Sequence, residues 1–167
     1  MDSIAELNHC FKAFDKIALR HGMEPLRTMG DAYVAVSGGP SPNHTGHARK
    51  AVDAATEMQR FAVDRKTSQD ALEKIGLQFR IAVHTGPAIC GIMESQKFSF
   101  DIWGDTMGEI LEMEKRGRPG DIILSDSTYT RLGEKISAVP LGEVETRSET
   151  PMGIFALQTV DGKTGGS

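Results

Sequence analysis

The chain has 167 residues, of which 39% are hydrophobic and 25% charged, a balance that is typical of a folded globular domain and excludes a disordered chain or a fibre. The net charge of -4 leaves no excess of basic residues for holding a nucleic acid backbone or an anionic membrane, so we expect neither partner. Cys10 and Cys90 lie far apart without a CxxC or Cys/His spacing, so neither disulfides nor zinc are expected and a reducing, cytoplasmic location fits best. No apolar run approaches the roughly 18 residues of a membrane span, and we expect no membrane segment in this chain.

The first half of the chain has the pattern of a helix, a hairpin and a second helix. Ser3-Ile4-Ala5-Glu6 fits a capping box, and apolar residues then recur every three or four positions up to Gly22, which predicts an amphipathic helix. Two short β-like runs follow at residues 26–28 and 32–37, and Gly30-Asp31 between them predicts a hairpin with Asp31 at its tip. After a loop rich in Gly and Pro, an apolar face predicts a second helix over residues 48–62, and the charged residues 64–75 are predicted to be its fraying end and a connector.

The second half contains most of the predicted strands. Strict alternation over residues 77–83 predicts a strand with one buried face, and after the turn Thr85-Gly86-Pro87 residues 88–93 are predicted to return beside it as a second hairpin. The other predicted elements are a strand at 98–102, a helix from an Asp105 cap to Arg116, a strand at 122–124, a short helix capped by Ser125, and strands near 138–141 and 154–157. This order predicts one α+β domain over residues 1–160 with a mostly antiparallel sheet, followed by a disordered tail over 161–167.

Four passages are unusual against that background. They are Arg27-Thr28-Met29-Gly30-Asp31-Ala32-Tyr33, His84-Thr85-Gly86-Pro87, Phe98-Ser99-Phe100-Asp101-Ile102-Trp103-Gly104-Asp105-Thr106 and Arg116-Gly117-Arg118-Pro119-Gly120. In this order and spacing, and over nearly the whole chain, they resemble the class III nucleotidyl cyclases, the adenylate and guanylate cyclase catalytic domains. The resemblance implies a ferredoxin-like α+β core and a head-to-tail dimer with nucleotide sites at its interface. It also implies conversion of a nucleoside triphosphate to a cyclic monophosphate and pyrophosphate, with Mg²⁺ or Mn²⁺.

Asp31 is the candidate metal ligand. A carboxylate at a hairpin tip can hold a divalent cation, although an aspartate in a Gly-Asp turn more often caps its own backbone. The resemblance favours the metal, because Asp31 falls on the second metal-binding aspartate of the family.

Arg27 and Asp101 are the candidate base-binding pair. A cation donor and a carboxylate acceptor can meet a base edge, and the alternative is a solvated strand pair. By the resemblance they stand at the positions that read the base, where adenylate cyclases carry lysine and aspartate and guanylate cyclases carry glutamate and a small residue. The pair therefore favours adenine, although the larger, forked arginine leaves both bases open.

Three further side chains have an expected role. His84, at the end of a predicted strand, is expected to be a structural hydrogen-bond partner rather than a general base. Trp103 is expected to pack under the turn that starts the third helix. Arg147 is the candidate phosphate ligand, since it resembles a lysine of the family's late triphosphate-contacting loop. That loop reads Arg147-Ser148-Glu149-Thr150 here, so one positive charge is kept and one is reversed, and weak triphosphate binding is expected.

The sequence departs from the family at catalytic positions. The family opens with a strand that carries the first metal aspartate, and this chain begins at the helix that follows it, so the first strand is apparently missing. Gly108 and Glu112 stand where the family has an asparagine that orients the ribose and an arginine that stabilises the transition state. No catalytic residue is therefore expected to be intact. Loss of one such charge stabiliser costs on the order of 2.7 to 4 kcal/mol, and a reversed charge should cost more.

Three interpretations fit these departures: one half of a heterodimeric cyclase, a degenerate domain that regulates a partner, and a truncated product of a longer active protein. We expect a class III cyclase-like domain that is weak or inactive alone and acts as a regulatory or heterodimer half, binding a purine nucleoside triphosphate weakly. The alternative is an active cyclase that converts ATP, in preference to GTP. A missing strand would expose sheet edges, so we expect a homodimer or a heterodimer with another cyclase domain.

Overall fold

The computed structural model of the chain describes residues 2–38, 46–94, 98–133 and 136–158, the side chains of 89–103 excepted. These residues form an α+β fold, as predicted. In chain order the elements are α1 (Ser3–Arg20), β1 (Glu24–Met29), β2 (Ala32–Val36), α2 (His47–Ala71), β3 (Ile81–Val83), β4 (Ile89–Glu94), β5 (Phe98–Trp103), α3 (Asp105–Glu114), β6 (Ile122–Ser125), α4 (Asp126–Leu132), β7 (Ala138–Glu145) and β8 (Pro151–Leu157). The predicted tail over 161–167 lies outside the described residues.

The strands of the described residues form three separate sheets. β1 and β2 make an antiparallel hairpin, β4 and β5 make another, and the remaining strands form a sheet in the order β3-β6-β8-β7. β3 and β6 are parallel, and the other pairs are antiparallel, so the prediction of a mostly antiparallel arrangement is confirmed.

The predicted hairpin of residues 77–83 with 88–93 is wrong. β4 pairs with β5, from Ile89 opposite Trp103 to Glu94 opposite Phe98, whereas β3 pairs in parallel with the fully buried β6. Only Ile81–Val83 of the alternating run forms a strand. The preceding backbone is bonded otherwise, because the Phe79 carbonyl accepts hydrogen bonds from Gly120 N at 2.8 Å and Gln59 Nε2 at 2.9 Å.

The ends of α1 and α2 differ from the prediction. Asp2, not Ser3, caps α1, and its carboxylate accepts from Ile4 N at 3.2 Å. The expected capping-box residue, Glu6, is instead 1% exposed and is bound by Arg65 on α2. That contact and the Lys66–Asp70 ion pair lie within the segment predicted to fray, and α2 continues through it to Ala71.

Of the two predicted helix caps in the second half, that of α3 is wrong and that of α4 is confirmed. Asp105 does not cap α3: Gly104 is the cap residue, without a side-chain hydrogen bond, and Asp105 is the first helical residue. Ser125 does cap α4, since its Oγ accepts from Thr128 N at 3.2 Å. α3 ends at Glu114, two residues before the predicted end, and β7 and β8 are longer than predicted.

Among the side chains that the structure describes, the buried hydrophobic residues form three clusters. The first joins α1, the β1–β2 hairpin and α2, with Phe11, Phe14 and Met58 among its members. The second joins α2, β3 and β6, and the third joins α3 to β6, β7 and β8. In the part of the chain that the structure describes, no helix is both long and apolar enough to cross a membrane.

Candidate functional site

The β1–β2 hairpin presents Asp31 to solvent. Met29 pairs with Ala32, so Gly30 and Asp31 form a two-residue loop. Gly30 has a φ of 63° and Asp31 is not in the left-handed region, which is the pattern of a type II′ turn and explains the glycine at the first loop position. The exposed Asp31 carboxylate makes no hydrogen bond to any other residue that the structure describes, so backbone capping does not account for it.

Arg27 and Asp101 lie on different two-stranded sheets. Arg27 is exposed on β1 opposite Val34, next to a register shift that follows Pro25. Asp101 lies on β5 opposite Gly91, and its side chain is outside the described set. Their proposed meeting at a base edge therefore stays a prediction, and so does the packing of Trp103.

The His84 side chain is tied to α3. It is 4% exposed, and its Nε2 lies 2.7 Å from Glu109 Oε2. An ionised carboxylate only accepts hydrogen bonds, so Nε2 is the donor. The contact is the structural hydrogen bond expected of His84, and its partner was not foreseen. His84 Nδ1 is buried and has no hydrogen-bond partner among the residues that the structure describes.

The loop after β3 packs closely against the start of α3. A Cβ on Gly86 would lie 2.7 Å from Thr106 Oγ1, which is closer than side chains approach, and that hydroxyl donates to the Pro87 carbonyl. Two of the four unusual passages thus meet at this junction. The Thr85 carbonyl in turn accepts from Ser127 Oγ at 2.6 Å, which fixes the loop to α4.

One face of α3 is acidic. Asp105, Glu109 and Glu112 are spaced by four and three residues and therefore follow one another along the helix surface. We call these three residues the acidic stripe. Glu112 is 54% exposed and pairs with Lys115 on the same helix at 2.9 Å. Gly108 lies within this helix and would meet nothing within 4 Å if it carried a Cβ.

Arg147 lies next to the first residue of the stripe. It is in the turn between β7 and β8, and its Nη1 lies 3.8 Å from Asp105 Oδ1, with side-chain exposures of 82% and 66%. The fold thus places the candidate phosphate ligand beside the helix that carries Gly108 and Glu112. An ion pair this exposed contributes little to stability, but it offsets the positive charge of Arg147.

The described side chains do not form a metal site by themselves. No three His, Cys, Asp or Glu side chains come together among them as they would to hold a metal ion. Asp31 offers a single exposed carboxylate, whereas Mg²⁺ takes one or two carboxylates together with substrate phosphates. This part of the chain could thus contribute one ligand to a shared site.

Sequence reasoning missed the acidic stripe and the His84–Glu109 pair. The spacing of the three acids was visible in the sequence and would have predicted one helix face. The partner of His84 was not visible, because 25 residues separate the two side chains along the chain.

Comparisons with known proteins agree on one family. The model of the adenylate and guanylate cyclase catalytic domain matches residues 1–159. An adenylate cyclase of Mycobacterium tuberculosis is 28% identical over 156 residues, 93% of this chain and 34% of the relative. The rat guanylate cyclase soluble subunit beta-2 is 28% identical over 152 residues, 90% of this chain and 22% of the relative. The chain thus spans about a third or less of the length of these curated relatives.

A solved structure has the same architecture. The guanylate cyclase domain of RhGC from Catenaria anguillulae, crystallised in complex with GTP, is 29% identical, with a TM-score of 0.81. The match covers 95% of this chain and 84% of that one.

Proposed function

The chain belongs to the adenylate and guanylate cyclase catalytic domain family, and we propose that within it the chain is a regulatory or heterodimer half that is weak or inactive as a catalyst alone. The observation that carries this proposal is the acidic stripe on α3. Phosphoryl chemistry needs positive charge or hydrogen-bond donors where negative charge develops, and this helix presents carboxylates.

Glu112 is the decisive residue of the stripe. By the family resemblance an arginine would stand there and stabilise the transition state. Removal of one such group lowers a rate on the order of 10² to 10³-fold. A carboxylate at the position also repels a triphosphate, and Lys115 at 2.9 Å offsets that repulsion in part. Gly108 removes the second helix group, the ribose-orienting asparagine.

A heterodimer would make use of what the chain retains. Asp31 is available as one metal ligand, and Arg147 lies beside α3 as one phosphate contact. A partner domain would provide the other aspartate, the asparagine and the arginine, and Mg²⁺ or Mn²⁺ would supply charge neutralisation at the shared site. The name of the rat relative, a subunit, supports a division of labour. We also propose a cytoplasmic location, which the free, buried thiol of Cys10 supports.

The second candidate function is an active cyclase acting on ATP in preference to GTP. The GTP complex of the Catenaria domain favours an active cyclase, because that domain shares the fold at 29% identity. The preference for ATP rests on the family resemblance at Arg27 and Asp101 and not on that complex. On this account a purine nucleoside triphosphate binds between Arg27 and Asp101, in a site that two copies complete.

The test is turnover of the purified chain with ATP or GTP and Mg²⁺ or Mn²⁺, followed by mass spectrometry of the products. We expect no cyclic nucleotide at micromolar protein. In calorimetry we expect weak ATP binding that becomes at least several-fold tighter in Glu112→Arg, because a repulsion becomes an attraction. Glu143→Arg, an exposed site on β7, makes the same change of net charge away from α3 and should leave the affinity unchanged.

Robust turnover that Asp31→Ala abolishes would reject the inactive half and favour the second candidate. Equal affinity gains in Glu112→Arg and Glu143→Arg would mean that net charge, and not the α3 face, limits nucleotide binding.

A further inference from the structure

A groove of about 630 Å³ lies between α1 and α2. The two helices run in opposite directions beside it, since Glu6 contacts Arg65 near one end of the pair and His21 contacts Glu57 near the other. No residue of the acidic stripe is among the described residues that line it, so this surface is distinct from the α3 face discussed above. We call it the α1–α2 groove.

The floor of the α1–α2 groove is apolar. It contains the buried Ile17 and the partly buried Ala13 of α1, together with the partly buried Phe61 of α2. The Phe61 ring stacks on His9 with 6.3 Å between centroids and meets Phe14 edge-on at 6.1 Å, so neighbouring rings fix it in place. Apolar side chains placed in the groove would bury the surface that this floor still exposes.

The α1 rim of the groove is basic. Lys12, Lys16 and Arg20 are spaced by four residues and therefore follow one another along one side of the helix. Lys16 and Arg20 line the groove, and Lys12 extends the row by one turn. Arg20 is paired with Glu57 on the opposite rim, whereas Lys12 and Lys16 make no ion pair or side-chain hydrogen bond with any described residue. This rim thus offers two free ammonium groups.

The α2 rim is mixed in charge, but most of its negative charge is already paired. Its charged residues are Asp53, Glu57, Arg60 and Asp64. The first two carboxylates are each bound by a cation, and Arg60 and Asp64 have no partner among the described side chains. The free charges around the groove are therefore two ammonium groups and one guanidinium against one carboxylate, which attracts an acidic occupant.

The walls of the groove favour a helix over an extended segment. Both walls are helices, whose backbone N–H and C=O groups are already hydrogen-bonded within the helix, so a strand laid between them would gain no main-chain bonds. A third helix keeps its own backbone bonded and can place a row of apolar side chains in the groove. The lining part of α1, from Ala13 to His21, is about 12 Å long at about 1.5 Å per residue, so two to three helical turns suffice.

We infer that the α1–α2 groove is the docking site of an acidic amphipathic helix of a partner polypeptide. The apolar stripe of that helix packs on Ala13, Ile17 and Phe61, and carboxylates beside the stripe pair with Lys16 and Arg60. Complementary charge of this kind contributes to specificity and association rate more than to affinity, so the contact is reversible and weakens with salt. That the helix belongs to a partner rests on the proposed regulatory or heterodimer half, whose role requires one.

A second copy of this chain is a poor occupant, although α3 is acidic. The apolar side of α3 is already used, because Met113 is fully buried against β6, β7 and β8. One carboxylate of its acidic stripe, Glu109, is bound by His84. α3 therefore has no free apolar stripe to place on the groove floor.

The experiment uses the whole chain and a fluorescein-labelled probe peptide, acetyl-Glu-Glu-Leu-Ala-Glu-Leu-Leu-Glu-Glu-Leu-Ala-Glu-Leu-Glu-amide. Anisotropy should show saturable binding, and amide NMR shifts should change in residues 13–21 and 53–64 and not in β7. A peptide with proline in place of both alanines keeps every charge and every leucine but cannot form the helix, and should bind about tenfold more weakly.

Two pairs of variants locate the contact. Lys16→Glu should weaken probe binding about fivefold or more, because an attraction becomes a repulsion. Lys74→Glu makes the same charge change at an exposed position after α2 and should leave binding unchanged. Ala13→Leu fills the floor of the groove and should weaken binding about fivefold or more, as overpacking does. Ala71→Leu, at the exposed end of α2, is its control. Circular dichroism establishes that all four variants are folded.

Three outcomes would overturn the inference. The first is absence of saturable binding at soluble peptide concentrations. The second is equal binding of the proline peptide, or equal losses in Lys16→Glu and Lys74→Glu, which would mean general attraction of an acidic chain. The third is self-association of the parent that the probe does not displace and Lys16→Glu abolishes, which would make a second copy the occupant. None of these outcomes depends on the cyclase assay, so this inference and the proposed function fail separately.

Discussion

Glu6 lies on the face of α1 that packs against α2, and it is a carboxylate held almost completely out of water. Arg65 binds it at two points, Nε to Oε1 at 2.8 Å and Nη2 to Oε2 at 2.9 Å, while the Cys10 thiol lies 3.9 Å away. The hydrogen bond from Arg65 lowers the pKa of Glu6 below its ordinary value of 4.5, even though burial opposes this. Burial, with the Glu6 charge nearby, raises the pKa of the Cys10 thiol to about 11, so this cysteine stays protonated and unreactive at neutral pH.

We predict that Glu6 makes folding sensitive to acid. Since its folded pKa is lower than its unfolded pKa, the ionised carboxylate stabilises the fold above pH 4.5, and this contribution is lost as the pH falls through the folded pKa. Glu6→Gln should lower the free energy of unfolding at neutral pH by about 3 kcal/mol, the lower end for breaking a buried pair, because Arg65 is 23% exposed. Urea unfolding at several pH values measures this.

The difference between parent and Glu6→Gln should shrink as the pH falls from 4.5 through the lower folded pKa, because Glu6 takes up a proton in the unfolded chain first and in the folded protein only at lower pH. Glu24→Gln, on the exposed start of β1, is the control and should change stability by less than about 0.5 kcal/mol. A difference between parent and Glu6→Gln that does not vary with pH would mean that packing, and not charge, is lost.

At the scale of elements, the junction of β3 with α3 depends on one close approach. Gly86 passes within reach of Thr106, whose hydroxyl is engaged with the Pro87 carbonyl and cannot easily turn away. By contrast, Gly108 is in the middle of α3 with open space around the place of a Cβ. The same substitution at these two glycines should therefore have opposite effects.

We predict that Gly86→Ala destabilises the fold by about 1 to 3 kcal/mol, as expected of overpacking. Gly108→Ala should be neutral or stabilise it by up to about 1 kcal/mol, because alanine loses less backbone entropy in a helix. Chemical denaturation measures both. Thr106→Ala should cost less in the Gly86→Ala background than alone, and strict additivity of the two changes would disprove the steric explanation.

The elements were predictable from sequence where their signals are local. The β1–β2 hairpin with its Gly30-Asp31 loop and the Ser125 cap each depend on residues within a few positions, and both are confirmed. The pairing of β3 was not predictable, because the apolar alternation of 77–83 identifies a buried face but not the neighbour. β3 pairs in parallel with β6, a fully buried strand that lies some 40 residues later in the chain.

The candidate site was predictable only in part, for the same reason. Single positions such as Asp31 and Glu112 could be named from motifs. The contacts Arg147–Asp105 and His84–Glu109 required the fold, because each joins elements that are distant in sequence.

Considered as a whole, the molecule has unequal sheet edges. β7, one edge of the main sheet, is interrupted by Pro140 and by a register shift before Gly142, and carries Glu143 and Glu145. Proline, irregular register and charge are the devices by which proteins protect an edge from pairing. Within the described residues, the unpaired edges of β2 and β3 carry none of these devices and border an apolar groove of about 380 Å³ over α2, so association through strands is expected there and not at β7.

We predict that the isolated chain self-associates weakly and reversibly through these two open edges. Sedimentation velocity over a range of concentrations should show a rising mean mass. Val36→Lys places a charge on the groove wall and should weaken association, because a lysine there would have to be desolvated on pairing. Val139→Lys is the matched control on β7, where Val139 is 41% exposed, and it should have no effect.

A monomer at every concentration would mean that the open edges do not suffice for pairing. Loss of association in Val139→Lys but not in Val36→Lys would place the contact on β7 instead.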